Sequence, residues 1–135
     1  MSTVRLVSYE EADAAVRVVY DDIRATRGSD FINNFWLALA ADPALLKSTW
    51  EEVKAVMTAP GPLDPLTREM IYIAVSAANG CTYCAHSHTA SAKAKGMTDA
   101  QYGDLLKVIA LAGKTNHLAN ALQVPVDAAF EKSGA

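Results

Sequence analysis

The stretch that decides the fold covers residues 64–98 and reads DPLTREMIYIAVSAANGCTYCAHSHTASAKAKGMT. Asp64 followed by Pro65 is typical of a helix start, because the carboxylate can cap the first turn and proline is tolerated at the first helical position. That helix should end at Asn79-Gly80, where glycine can close it. Since the residues in between are apolar almost all round, we expect this helix to be the buried centre of the domain.

A second helix follows within the same stretch. It should begin around Cys81 and continue to about Lys95, where Gly96 can adopt the left-handed conformation that ends many helices. Thr98 and Gln101 then have the spacing of a capping box, in which the two residues hydrogen-bond reciprocally through side chain and backbone. This box predicts the start of another helix.

Helical signals continue on both sides of this stretch. Ser8 and Glu11 form another capping box, which predicts a first helix that begins after Ser8 and ends at Gly28. Further cap, turn and proline signals predict a short helix over 31–41, a third helix from 42–43, a loop over 59–62, and short helical pieces divided by Gly113 and Pro125. No segment alternates as a strand does. We therefore predict an all-α fold, a compact domain of about six or seven helices without a sheet.

The composition restricts the architecture and the partners. The chain has 135 residues, of which 51% are hydrophobic and 20% charged, and its formal net charge is -3. This is enough apolar material for a single domain over residues 1–135, and the absence of a basic cluster argues against binding to nucleic acid or to an anionic membrane. No apolar run approaches the roughly 20 residues that span a bilayer. We therefore expect a soluble, cytoplasmic protein.

The chain has only two cysteines, Cys81 and Cys84, separated by two residues. Two cysteines placed at random would have this spacing in roughly 1 to 2% of chains of this length, so the pair indicates a chemical role. A single bridge across so short a loop removes little chain entropy, which excludes a disulfide framework of the kind found in small secreted proteins. Redox chemistry and metal binding remain.

The position of the cysteines favours redox chemistry. If Gly80 separates the two helices, both cysteines lie in the first turn of the second, where unpaired N–H groups and the helix dipole stabilise a thiolate. His88 lies four residues after Cys84 and seven after Cys81, so helical periodicity places the three side chains on one face. A carboxylate behind this imidazole, such as Glu69 of the preceding helix, would complete a proton relay to a thiol.

Glu69 shares a stripe with Tyr72 and Ser76, the polar interruptions of an otherwise apolar helix. An unpaired buried carboxylate is costly, so this stripe must face a polar cavity or a partner if the helix is buried. Helix starts also favour solvated acids. The spacing alone therefore leaves Glu69 open between a site residue and a surface residue.

Metal binding stays open for the same residues. The cysteine pair and the nearby imidazole could supply three zinc ligands, with the fourth from Glu69, His86, His117 or water. We interpret His86 and His117 as structural or surface residues, because they lie off the cysteine face or in another helix. Covalent c-type haem is excluded, since Ala85 follows the second cysteine where that motif requires histidine.

The pattern Glu69-(eleven residues)-Cys81-x-x-Cys84-x-x-x-His88 closely resembles that of the alkylhydroperoxidase D-like family, part of the carboxymuconolactone decarboxylase superfamily. The recognisable core runs over about 63–112. The resemblance implies an all-helical thiol peroxidase, or disulfide reductase, of peroxiredoxin-type activity. It implies that Cys84 attacks the hydroperoxide and Cys81 resolves the sulfenic acid, while Glu69 and His88 relay the proton away from the attacking thiol.

The resemblance also implies partners. It implies a dithiol electron donor such as a lipoylated protein, a homo-oligomer that is a trimer or a hexamer, and no metal or organic cofactor. Tyr83 stands directly before the second cysteine, where the best-known members carry histidine, which predicts a weaker peroxidase activity or another substrate. Lactone decarboxylation is not expected, because members with that activity generally lack the cysteine pair. The alternative class is a metal-binding or redox-sensing helical oligomer without peroxidase turnover.

Overall fold

The computed structural model describes residues 1–131, and these form seven helices and no strand. The helices are α1 (Ala14–Arg27), α2 (Asn34–Leu39), α3 (Pro43–Met57), α4 (Pro65–Ala78), α5 (Thr82–Ala94), α6 (Asp99–Ala121) and α7 (Ala128–Glu131). The predicted all-α fold is therefore confirmed. The chain divides into two compact units, Met1–Pro60 and Gly61–Ala135, and their joining into a single domain stays a prediction.

The first unit packs α1, α2 and α3 around one hydrophobic cluster. Tyr20, Ile23 and Leu46 are fully enclosed, and the rings of Trp36 and Trp50 meet edge to face with centroids 5.4 Å apart. The ring quadrupoles favour this arrangement over a direct face-to-face stack. The cluster uses apolar residues of the first 60 positions, and none of the predicted site residues belongs to this unit.

The start of α1 differs from the sequence prediction. Ser8 and Glu11 do form the reciprocal hydrogen bonds of a capping box, each with an N···O distance of 3.3 Å, but they close only a turn. The helix begins at Ala14, where the Asp13 carboxylate accepts a hydrogen bond from the Val16 N–H at 2.9 Å. Aspartate and serine are comparably good caps, so the capping preference alone does not distinguish the two starts.

The second unit contains the helices of the deciding stretch. Asp64 caps α4 by accepting a hydrogen bond from the Thr67 backbone N–H at 2.9 Å, as its place before Pro65 predicts. Gly80, with φ 69°, separates α4 from α5, and Gly96, with φ 96°, follows α5. Both predicted breaks therefore lie at glycines in the left-handed region, which side chains disfavour. The capping box of Thr98 and Gln101 at the start of α6 is also present.

A small apolar cluster joins the three long helices of this unit. Ile73 of α4, Ala92 of α5 and Met97 before α6 are buried together, and partly buried residues of α4 and α6 pack against them. Two polar side chains of α4, Glu69 and Ser76, are buried as well, each with 4% of its surface exposed. Two residues of the polar stripe predicted on this helix are therefore buried, whereas the third, Tyr72, is 36% exposed.

Two expectations for this unit were wrong. Gly113 does not divide the chain but lies inside α6, because one glycine costs only about 1 kcal/mol in a helix interior. The α4 helix is not buried all round, since Ile71 and Val75 are 48% and 51% exposed in the single chain. Although α6 has 23 residues, no helix of the described chain is long and apolar enough to cross a membrane.

Candidate active site

Both cysteines lie at the start of α5, as predicted. Cys81 is the N-cap residue, and its Sγ accepts a hydrogen bond from the Cys84 backbone N–H at 3.3 Å. This bond satisfies one of the N–H groups that a helix start leaves without a partner. The two sulfurs are reduced, and both residues are partly accessible to solvent. The pair is therefore open to a small substrate.

The two thiols differ in acidity because they interact with each other. The Cys84 thiol and the Cys84 backbone N–H both donate to Cys81, and these hydrogen bonds lower the pKa of Cys81. Burial, the hydrogen bond to Cys81 and the charge of that thiolate together raise the pKa of Cys84 to about 11. At neutral pH Cys84 thus needs a base to become a nucleophile, whereas Cys81 loses its proton more readily.

Glu69 is a buried carboxylate with three donors around it. Its Oε2 lies 2.6 Å from His88 Nδ1, while its Oε1 accepts from Ser91 Oγ at 2.7 Å and from Lys95 Nζ at 2.9 Å. Burial raises the pKa of Glu69, but the hydrogen bonds from His88, Lys95 and Ser91 outweigh it and lower the pKa to about 2. Glu69 is therefore ionised at neutral pH and accepts hydrogen bonds only.

His88 is held in one orientation by two contacts. Because the Glu69 carboxylate can only accept, Nδ1 of His88 carries the proton that the two groups share, and Nε2 is left for proton exchange. The imidazole also stacks on the ring of Tyr72, with centroids 3.6 Å apart and planes 19° from parallel. The His88 side chain is 21% exposed, so the imidazole is partly accessible to solvent.

The two thiols and the Glu69 carboxylate share one electrostatic environment. Tyr72 reports on this environment, because its pKa is raised first by burial and then by the negative charges of Cys84, Cys81 and Glu69. His88 contacts the same ring and lies one helical turn after Cys84. The four residues predicted from the sequence thus lie on α4 and α5, and Tyr72 stacks on His88 and interacts electrostatically with both thiols and with Glu69.

Three further residues of this site were not predicted to have a role in it. Ser91 and Lys95 bind Glu69, and Tyr72 covers His88. A signal for the first two is present in the sequence, since positions 88, 91 and 95 follow the three- and four-residue spacing of one helix face. Tyr72 lies three residues after Glu69, so it follows the same rule on α4.

The other histidines take no part in this cluster. His86 is exposed on α5, and His117 places its Nδ1 2.7 Å from the Gly113 carbonyl on α6. Within residues 1–131, no group of three or more His, Cys, Asp or Glu side chains has an arrangement that could hold a metal ion. The reactive groups that this site brings together are two thiols and the His88 imidazole, which can accept a proton.

Comparisons with known proteins agree with this arrangement. A family description, the carboxymuconolactone decarboxylase family, matches residues 43–127. The chain belongs to this family. The matched region includes Glu69, Cys81, Cys84 and His88, so all four predicted residues lie in the part of the chain that the family shares.

A solved structure gives a closer comparison. The chain is similar to the alkylhydroperoxidase AhpD core from Rhodospirillum rubrum, with 64% sequence identity and a TM-score of 0.95. The similarity covers 96% of this chain and 97% of that one. No protein with a curated description matches the chain. Within the carboxymuconolactone decarboxylase family, the resemblance to alkylhydroperoxidase D-like proteins is thereby confirmed.

Proposed function

We propose that this chain is a thiol-dependent peroxidase that reduces hydroperoxides through a dithiol and disulfide cycle of Cys81 and Cys84. The observation that carries the proposal is a partly exposed thiol pair at a helix start, on the same helix as His88, whose imidazole is hydrogen-bonded to the buried Glu69 carboxylate. A peroxidase-like role is supported by the family match and by the similarity to an alkylhydroperoxidase core. The family also includes decarboxylases, but that reaction has no use for a thiol pair.

The proposed cycle has three steps. A thiolate attacks one peroxide oxygen, the O–O bond breaks, and the products are a sulfenic acid and an alkoxide or hydroxide that takes up a proton. The second thiol then attacks the sulfenic sulfur, which forms the disulfide and releases water. An external dithiol reopens the disulfide by exchange and leaves as its own disulfide. The chain thus ends each turnover in its reduced form.

In this proposal Cys84 attacks and Cys81 resolves. The raised pKa of Cys84 makes it dependent on a base, and His88 Nε2, four residues on, is the proton acceptor. A thiolate derived from a less acidic thiol is also the stronger nucleophile. Cys81, whose pKa is lowered by the hydrogen bonds from Cys84, gives up its proton more readily when it closes the disulfide. The Glu69 carboxylate stabilises the imidazolium that the proton transfer creates.

We propose further that the electron donor is a dithiol carrier such as a lipoylated protein, and that the protein is a cytoplasmic homo-oligomer, a trimer or a hexamer. Neither a metal nor an organic cofactor enters the proposed cycle. Tyr83 directly precedes Cys84 at the start of α5, and its side chain is 42% exposed. We expect it to limit which hydroperoxides are used.

The test is peroxide consumption by the reduced chain with a dihydrolipoyl donor. Cys84→Ser should abolish consumption, and Cys81→Ser should allow only one equivalent per chain, because no disulfide can form. Glu69→Gln should slow the reaction on the order of 100-fold, as expected for loss of a positioned acid–base pair. Glu52→Gln, which alters an exposed carboxylate of α3, is the matched control and should react at the wild-type rate.

Each alternative has its own outcome in the same experiment. Consumption that survives in Cys84→Ser but not in Cys81→Ser would reverse the roles of the two sulfurs. A reversible disulfide without peroxide turnover would contradict the peroxidase and favour a redox-sensing protein. Stoichiometric zinc that blocks thiol titration in the purified chain would favour the metal-binding alternative.

A further inference from the structure

Lys95, the C-cap residue of α5, reaches back along its helix to the proposed proton relay. Its Nζ lies 2.9 Å from Glu69 Oε1 and 2.8 Å from Ser91 Oγ, and the Ser91 hydroxyl itself donates to the same carboxylate oxygen. The two oxygens of Glu69 therefore have different partners. One faces His88 and the other faces a permanent cation.

This arrangement places one carboxylate between an ammonium group and an imidazole. Glu69 is 6% exposed in its side chain, so its charge is poorly screened, and Lys95 balances it from the side opposite His88. A proton added to the imidazole would then leave this small cluster with a net charge of about +1 in a poorly solvated place. Without the ammonium group, the same proton would complete a neutral ion pair with Glu69.

We propose that Lys95 is a positioning residue which neutralises Glu69 and so keeps His88 uncharged, with Nε2 free to accept a proton from Cys84 near neutral pH. A carboxylate alone would pull a proton onto the imidazole and remove the base before the reaction begins. With Lys95 in place, Glu69 still orients the ring through Nδ1 and still stabilises the imidazolium formed during proton transfer. This inference rests on the peroxidase proposed above.

Among the ionisable groups around His88, Lys95 is the cation that contacts Glu69. On α4 the His88 ring faces Glu69 and the phenol of Tyr72. Arg68 extends toward the loop before α4, where its Nη2 lies 2.5 Å from the position that a Cβ atom at Gly61 would occupy. On α5 the charged or titratable neighbours are the two thiols, Lys95, the exposed His86, and Lys93, which pairs with Asp99 at 3.5 Å. The α6 residues that pack against this part of α4 and α5 are Tyr102, Leu105 and Ile109.

The experiment compares Lys95→Met, which removes the charge but keeps most of the stem, with Lys95→Arg, which restores the charge. The first readout is an NMR titration of the His88 ring, which needs no turnover. In Lys95→Met the titration midpoint of His88 should move to higher pH by about one unit, the size expected when a nearby charge is removed. Lys95→Arg should titrate as the wild type does.

The second readout is the pH dependence of peroxide consumption. The acidic side of the rate profile should move to higher pH in Lys95→Met by the same amount, which lowers the rate about tenfold at a pH below both midpoints. A merely structural role would lower the rate at every pH without moving the profile. Lys93→Met, two residues away on the same helix, is the control and should leave the profile unchanged.

The outcomes separate this inference from the proposed function. A His88 midpoint that is the same in Lys95→Met and wild type, or that moves to lower pH, would overturn the inference even if the chain is a peroxidase. If the chain consumes no peroxide, the NMR titration still decides whether Lys95 controls the charge of His88. Lys95→Gln, checked by circular dichroism, replaces Lys95→Met if the latter does not fold.

Discussion

Glu69 is the residue around which the site is organised. Three side chains from α5 donate to its two oxygens, and this set of bonds keeps a carboxylate charged where burial alone would neutralise it. A carboxylate held this way fixes the tautomer of His88, because it can only accept the hydrogen bond from Nδ1. It also links the proposed proton relay to the stability of the fold, because the same bonds join α4 to α5.

The stability of the chain should therefore depend on Glu69 in acid. Its pKa falls from the usual 4.5 to about 2 in the folded chain, so the unfolded chain binds the extra proton between these values. The ionised group stabilises the fold above pH 4.5, and this contribution, on the order of 3 kcal/mol, is lost as the pH falls through 2.

Urea unfolding at a series of pH values measures this contribution. Glu69→Gln should unfold at lower urea than the wild type at pH 7 and should lose less stability between pH 4.5 and 2. Glu52→Gln, the exposed control, should follow the wild-type curve. Parallel loss of stability in Glu69→Gln and wild type over this range would contradict the prediction.

Tyr72 should act through its ring and not through its hydroxyl. The stack on His88 limits rotation of the imidazole, and such ring contacts contribute about 0.5–1.5 kcal/mol. Tyr72→Phe keeps the ring and should consume peroxide at nearly the wild-type rate, whereas Tyr72→Ala should be slower by up to about tenfold. An equally slow Tyr72→Phe would show that the hydroxyl matters instead.

The spacing of residues along the chain was sufficient to predict one half of the site and insufficient to predict the other half. The cysteines and His88 lie on one helix, so their register follows from the helical repeat, and Gly80 marks where that helix begins. The pairing of Glu69 with His88 crosses between two helices, and the spacing alone left that glutamate undecided. Lys95 was interpreted only as the end of a helix, because nothing in its local sequence indicates how far a flexible side chain reaches.

At the scale of helices, boundaries with one strong signal were predicted correctly and boundaries with competing signals were not. Asp64-Pro65, Gly80 and Gly96 each stand alone, and each marks a boundary in the structure. Ser8 competes with Asp13 as the first cap, and in the structure Asp13 caps the helix by accepting from the Val16 N–H. An interior glycine such as Gly113 is a weak signal, because the helix on either side of it outweighs its cost.

Two glycine substitutions should therefore have opposite effects on stability. Gly80→Ala places a side chain at φ 69°, where no atom lies within 4 Å of it, so the cost is backbone strain of about 1–2 kcal/mol. Gly113→Ala lies inside α6, also with no atom within 4 Å, and should stabilise the chain by up to about 1 kcal/mol. Urea unfolding of both variants checks the signs, and a stabilised Gly80→Ala would contradict the role assigned to this junction.

At the scale of the whole molecule, the apolar surface of α6 is the main feature that a single chain leaves unexplained. The helix has 23 residues and none of them is buried. Four large apolar side chains recur along one side of it at helical spacing, with 50–73% of their surface exposed: Val108, Leu111, Leu118 and Leu122. An exposed stripe of this kind marks an interaction surface in soluble proteins, and the proposed homo-oligomer supplies a second copy to cover it.

A charge placed in this stripe should therefore break the assembly. We expect light scattering to give the wild type a mass of three or six chains of 14.4 kDa, and Leu111→Glu a smaller one, because the buried carboxylate would have no partner in the interface. Asn116→Glu adds the same charge on another side of α6 and should leave the mass unchanged. Equal masses for Leu111→Glu and wild type would exclude this stripe from the interface, and a wild-type mass of one chain would exclude the oligomer itself.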